Sequence, residues 1–252
     1  DAAIRCWYEG FVADEIDAFY SRERLVDSSG EPQPGLLRGE DLARWRPTYE
    51  EPLVSHHGRY SFAKCGAWSQ GGVLLQQLDM VLGDLGALDP RGDAFVHRCA
   101  EAAKLALADR DAWYADPGGA DVPLASLLSR EYAASRRALL ASTASHDIRP
   151  SSPPGRTPRL TPFEQTSRRL LEAGFTYGGG EPTFAELPPA AWNPAREIVA
   201  GDTCQIDVAD RFGNLVAATP SGGWFSSSPV IPALGFSITT RLQMTWLDPH
   251  MQ

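Results

Sequence analysis

The side chains best suited to covalent chemistry lie close together between residues 201 and 223. They are Thr203 and Cys204, with the further hydroxyls of Thr219 and Ser221 downstream. An internal threonine hydroxyl is a poor nucleophile because it has no base of its own. At a chain terminus its α-amine, with a pKa of about 8, can accept the hydroxyl proton, so that one residue supplies both nucleophile and base. Cys204 is a rival, since an N-terminal thiol works in the same way. By residue type alone, each is equally well an ordinary strand residue.

Other groups invite chemistry less strongly. His56 and His57 are adjacent, but successive side chains on a strand point to opposite faces, so they share one metal poorly and a turn or surface role is expected. Asp109 and Asp111 could form an acid/base pair. With Arg110 between them, a structural ion-pair corner is the stronger expectation. Ser69-Gln70-Gly71-Gly72 opens a helix, where Ser69 suits an N-cap and the free N–H groups could also hold an anion; capping is the expectation. The cysteines Cys6, Cys65, Cys99 and Cys204 show no metal-like spacing and read as free, partly buried thiols. Neither a cofactor nor a metal is called for.

The elements that position these residues follow from periodicity. Ile206, Val208, Val216 and Ala218 alternate at period 2 around Gly213-Asn214, which predicts a strand, a tight turn and a second strand. Residues 7–24 read as a helix with Trp7, Phe11, Ile16 and Phe19-Tyr20 on one face. Leu36 to Trp45 reads as a further helical turn, and Pro52-Leu53-Val54 and Tyr60 to Ala63 as short strands joined across His56-His57-Gly58. A helix after Ser69 carries Leu74, Leu78, Val81, Leu82 and Leu85 on a stripe. Asp93 to Ala108 packs Phe95, Cys99, Ala102 and Ala106 inward, and Val122 to Leu140 completes the helical part with Arg130, Glu131, Arg136 and Arg137 on its polar side. From 149 to 199 prolines and glycines crowd in. Only Phe163 to Ala173 could hold a helix there, and the rest reads as a long exposed connection.

Composition excludes some functions. With 252 residues, 43% of them hydrophobic, the chain can bury a real core. A net charge of −9 argues against nucleic acid, which needs a basic footprint. No run approaches the ~20 apolar residues of a membrane span. The sequence begins Asp1-Ala2-Ala3-Ile4 without a targeting segment and reads as a piece of a longer chain, with a cytoplasmic location expected over a periplasmic or secreted one.

Several stretches resemble the γ-glutamyltransferase family. Gly201-Asp202-Thr203, a short strand, Asp210-Arg211-Phe212-Gly213-Asn214, another strand and Thr219-Pro220-Ser221-Gly222-Gly223 look like the start of its small subunit. Upstream, Tyr8 to Ile16 is similar to its "F-Y-x-G-x-I-A-x-x-I" helix, and Leu36 to Trp45 to its "L-x-x-E-D-L-A-x-W/Y" turn. Cys65 to Gly71 is similar to "C-G-P-W-S-Q-G" of one branch, and Ala108 to Pro117 to "A-D-R-x-x-Y-x-x-D-P".

The resemblance implies an α+β chain that forms part of a four-layer αββα sandwich of the N-terminal-nucleophile hydrolase type. Residues 1–202 would end the large subunit, residues 203–252 would begin the small one, and both would belong to one domain. Autocatalytic cleavage would fall between Asp202 and Thr203, leaving Thr203 as the nucleophile and the two subunits associated. Thr219 and Ser221 match the family's "T-x-T", whose second hydroxyl bonds the nucleophile. The substrate would be a small-molecule γ-glutamyl or related amide, with water or an amine as acceptor. The family's substrate-binding arginine and its glycine-pair oxyanion hole would lie outside residues 1–252.

Departures touch the substrate rather than the reaction. Gly223, after Gly222, stands where glutathione-directed members have Asn, and Thr239 to Trp246 replaces "N-N-x-M-x-D-F". Loss of a charge-assisted bond to a substrate ammonium costs ~1.5–3 kcal/mol, while Arg241 offers a fork for a carboxylate. The alternatives are an amidohydrolase or C–C hydrolase of the same fold acting on another acyl group, and an uncleaved scaffold or binding relative. Gln205, where this branch often has His, favours the last.

Overall fold

A computed structural model describes residues 2–26, 32–116, 118–160, 204–220 and 229–239. Its contacts divide the chain into two units, residues 1–47 with 166–245, and residues 48–165 with 246–252. Among the described residues the structure mixes helices with small antiparallel two-stranded sheets, an α+β composition.

In the first unit the helix expected over 7–24 is two helices, α1 (Ala2–Tyr8) and α2 (Phe11–Arg22), broken at Gly10. The break lets the chain fold closely on itself, since a Cβ on Gly10 would sit 3.0 Å from the Cys6 Cα. Helix α2 buries Val12, Ala13 and Ile16, an i, i+4 spacing that faces one side. Strands β1 (Arg24–Val26) and β2 (Pro32–Pro34) pair antiparallel, and the short α3 (Gly39–Arg44) matches the helical turn expected from Leu36 to Trp45. At its start the Asp41 carboxylate accepts the Arg38 N–H at 2.9 Å.

The same unit holds β5 (Ile206–Ala209) with β6 (Leu215–Ala218), and β7 (Val230–Ile231) with β8 (Phe236–Ser237). Ile231 joins Val12 and Ile16 in a small core, flanked by Phe19, Leu42, Leu234 and Phe236, and Trp7 stacks on Phe236 with ring centroids 5.5 Å apart.

In the second unit β3 (Leu53–His57) and β4 (Tyr60–Lys64) form a hairpin closed by Gly58 at φ 61°. The strand runs through both histidines, which were expected in the connection. Helices α4 (Gly71–Leu85) and α5 (Asp93–Trp113) pack together, followed by α6 (Leu124–Leu127) and α7 (Arg130–Arg137). The buried stripe of α4 is Val73, Leu75, Gln76, Met80 and Val81, and Leu74 is exposed. The stripe is rotated from the expected one because Gly71 and Gly72 are themselves buried: a Cβ on Gly72 would lie 2.6 Å from the Tyr114 ring. Helix α5 buries Ala102, Leu105, Ala106, Ala112 and Trp113, and runs beyond the expected end at Ala108. Arg136, expected on the polar side, is buried. Residues 149–160 carry no regular element, yet Ser151 and Pro153 are buried and Leu160 packs on the core, so the connection begins anchored. Phe163 to Ala173 lies outside the described residues.

Candidate active site

The β5–β6 hairpin is fixed from its turn outward. The Asp210 carboxylate accepts the backbone N–H of Phe212 at 2.8 Å and of Asn214 at 2.9 Å, and the Asn214 side-chain amide at 2.7 Å. Those bonds, led by the Asn214 side-chain amide, hold the Asp210 carboxyl below its ordinary range. Gly213 adopts φ 87°, which a side chain would resist. The register is Ile206 opposite Ala218, Asp207 opposite Ala217, Val208 opposite Val216 and Ala209 opposite Leu215. It continues past Ile206, where the Cys204 N–H bonds the Pro220 carbonyl at 3.3 Å.

Near this end Thr219 donates its hydroxyl to Gln205 Oε1, and Gln205 Nε2 donates to Asp207 Oδ1 at 2.6 Å. The chain Thr219–Gln205–Asp207 was not foreseen from the sequence. The signal that could have found it is the two-residue interval from 205 to 207 together with the hairpin register, which brings 219 opposite 205. Of the predicted site residues Thr219 is therefore placed, while Asp202, Thr203, Ser221, Gly222, Gly223 and Arg241 lie outside the described residues. Cys204 is a free, exposed thiol, as are Cys6 and Cys65; Cys99 is half-buried, so only that one fits the expectation of partial burial. The large apolar residues of the hairpin, Ile206, Val208, Phe212, Leu215 and Val216, are all exposed.

The second unit has polar clusters whose geometry points to structure. Ser55, His57 and Asp79 meet, but the Ser55 hydroxyl and the Asp79 carboxylate both lie 2.9 Å from the same His57 nitrogen, Nε2. A relay needs the carboxylate on one ring nitrogen and the hydroxyl on the other, and here Ser55 donates to Asp79 directly at 2.5 Å. His56 instead meets Ser61 Oγ at 2.8 Å on the other face. Among the described residues no cluster of metal-ligating side chains occurs.

Asp109 and Asp111 part company. Asp111 takes the Arg110 guanidinium through Nε at 2.8 Å and Nη2 at 2.7 Å, as an ion-pair corner requires. Asp109 is buried and turns away from Arg110. It accepts the Ser151 N–H at 2.7 Å, Gln76 Nε2 at 3.2 Å and the Tyr132 hydroxyl, and lies 3.5 Å from Arg136. Tyr114 donates to Gln76 Oε1 at 3.1 Å. Burial, reinforced by the Asp109 charge, pushes both phenols above the usual tyrosine range. At the start of α4 the cap position is Gln70 rather than Ser69, yet the Ser69 hydroxyl accepts the Gly71 N–H at 3.0 Å. That bond occupies one N–H an anion would need.

The gamma-glutamyltranspeptidase family model matches residues 2–252. The chain belongs to that family. An acylase ACY 1 proenzyme of Pseudomonas sp. strain SE83 is 30% identical over 95% of this chain and 36% of its own length. A glutathione hydrolase proenzyme of Bacillus subtilis subsp. natto is 25% identical over 90% of this chain and 35% of its own. The solved structure of LmbA2991HD shares 44% identity over 99% of this chain and 38% of that one, with a TM-score of 0.75. This chain thus spans about a third of the length of the curated relatives it matches. Both the acylase and the glutathione hydrolase among these relatives are named as proenzymes.

Proposed function

We propose that residues 1–252 form the middle of a self-cleaving acyl hydrolase or transferase with Thr203 as nucleophile. Residues 1–202 end the large subunit and residues 203–252 begin the small one, within a four-layer αββα sandwich. In the precursor the Thr203 hydroxyl attacks the Asp202 carbonyl, the Asp202–Thr203 C–N bond breaks to give an ester and a free Thr203 amine, and water then hydrolyses the ester to an Asp202 carboxylate and the Thr203 hydroxyl. In the mature enzyme the hydroxyl oxygen attacks an amide carbonyl and its proton passes to the α-amine. The amine returns the proton to the leaving nitrogen, giving an acyl ester on Thr203 and a released amine. Water or an acceptor amine then attacks the ester, its proton passes through the α-amine to the Thr203 oxygen, and acid or new amide departs. Ser221 and Thr219 orient the nucleophile, Gly222 and Gly223 line the acyl site, and Arg241 pairs with a substrate carboxylate.

The observation that carries the reading is the β5–β6 register. It closes at Cys204 and Pro220, the residue pair adjoining Thr203 and Ser221 in sequence, within a chain matched by the family model from end to end. A second reading, hydrolysis of a non-glutamyl acyl amide, draws support from the acylase relative at 30% identity and from the absence of the family's acidic clamp between Thr239 and Trp246. Glutamate release by the full-length protein from a γ-glutamyl anilide, set beside release of acid from a non-glutamyl acyl anilide, separates the two. In either case Thr203→Ala abolishes release. Turnover that survives Thr203→Ala overturns both.

A further inference from the structure

The segment that follows α7 runs along α5 and is held there by its main chain, its bonds advancing in step with the helix. His97 Nε2 donates to the Ala141 carbonyl at 2.8 Å, Lys104 Nζ donates to the Ser145 carbonyl at 2.5 Å, and the Glu101 carboxylate accepts the Ser145 N–H at 3.4 Å. Further on, the Asp109 carboxylate accepts the Ser151 N–H at 2.7 Å and Trp113 Nε1 donates to the Ser151 carbonyl at 3.1 Å, both in buried surroundings. From His97 to Trp113 the helix rises about 24 Å, most of the ~33 Å that residues 141–151 would span fully extended. Among the described residues, the hydrogen bonds from α5 to residues 141–148 all go to main-chain atoms. Arg149 is the side chain that reaches back, giving Nη2 to Glu101 at 3.1 Å and Nη1 to the Leu139 carbonyl at 3.2 Å.

The far end of the segment is fixed as well. Gly155 at φ 75° closes a turn in which the Arg156 N–H bonds the Pro153 carbonyl at 2.9 Å. The Arg156 guanidinium then grips Asp121 through its carbonyl at 2.8 Å and its carboxylate at 2.5 Å. A pull from beyond Leu160 therefore meets Leu160 on the core, then the Arg156–Asp121 pair, then the buried Ser151, before it reaches α7. We propose that residues 141–156 are an anchoring strap, which insulates the second unit from cutting or displacement of the chain beyond Leu160. A main-chain clamp suits this role because it holds whatever side chains the strap carries. Lys104, Glu101 and Asp109 make its bonds charge-assisted, the stronger kind.

The test uses the full-length protein with a viral-protease recognition site, set in a flexible linker, inserted between Thr161 and Pro162. That cut lies upstream of Asp202, so its result is independent of whether Thr203 is the nucleophile. Amide exchange read by mass spectrometry gives protection factors for residues 141–156 and for α4. After cutting, protection of the strap stays within about threefold of the uncut chain, as for a segment whose opening is local. A larger fall overturns the proposal. Lys104→Met removes one charge-assisted bond and lowers protection over residues 144–148 by about tenfold, with α4 unchanged. Replacing Ser142, Thr143, His146 and Asp147 together by Ala leaves the strap at its wild-type protection. Unchanged protection in Lys104→Met, a loss there that spreads to α4, or a loss in the alanine variant overturns the main-chain clamp.

Discussion

Replacing Asp109 by Asn is the sharpest probe of how the second unit is held. Asp109 is 1% exposed and joins four separate segments: Gln76 on α4, its own helix α5, Tyr132 and Arg136 on α7, and Ser151 at the start of the connection. Asparagine preserves the shape but removes the charge and turns one acceptor into a donor facing other donors. Arg136, itself buried, keeps the carbonyls of Arg149 at 2.5 Å and Leu105 at 3.3 Å but loses its counter-charge.

Breaking one side of a buried pair costs ~3–5 kcal/mol, and the two retained carbonyls place Asp109→Asn at the lower end, about 3 kcal/mol. At ~2–4 °C per kcal/mol for a chain of this size, the melting midpoint of the full chain falls by about 6–12 °C. Thermal unfolding followed by circular dichroism reads this, with a double-mutant cycle to Arg136→Met as control. Removing both partners should cost less than the sum of the single changes. A fall of less than ~2 °C, or strictly additive effects, refutes the pairing.

Gly72→Ala forces a Cβ to 2.6 Å from a Tyr114 ring that Gln76 and the core hold in place, so urea unfolding should show a loss of ~1–3 kcal/mol. The Glu101 carboxyl is held below its ordinary range by its hydrogen bond to Lys104, helped by the Ser145 N–H and the charge of Arg149 against the opposing effect of burial. A depressed folded pKa contributes stability above the unfolded value and loses it as pH falls through the folded one. Glu101→Gln therefore lowers the urea midpoint near neutrality and flattens its decline as the pH falls below the ordinary glutamate value of 4.5, the gap closing as the pH passes through the lowered folded value. Asp79→Ala releases Ser55 and His57; amide exchange across β3 should rise while global stability changes by less than ~1.5 kcal/mol.

The sequence was most legible where periodicity meets local turn chemistry. The β5–β6 hairpin, α5 and the β3–β4 pair fall near where alternation and i, i+4 spacing place them, since those signals are written within a few residues. What could not be read depends on partners far along the chain. Arg136 looks like surface until Asp109 is brought against it, and Ser151 looks like loop until Asp109 and Trp113 claim its backbone. Leu74 looks like core until the buried glycines beside Tyr114 rotate the helix. At the candidate site, residue types and family resemblance marked Thr203 and Thr219. The direction of the Thr219–Gln205–Asp207 chain needed side-chain positions.

Mature-chain ends test the central claim most directly. Intact mass and N-terminal sequencing of the purified full-length protein should give two chains, the smaller beginning at Thr203, and one uncut chain from Thr203→Ala. A single uncut wild-type chain, or a small chain beginning at Cys204 or elsewhere, contradicts Thr203 as the nucleophile.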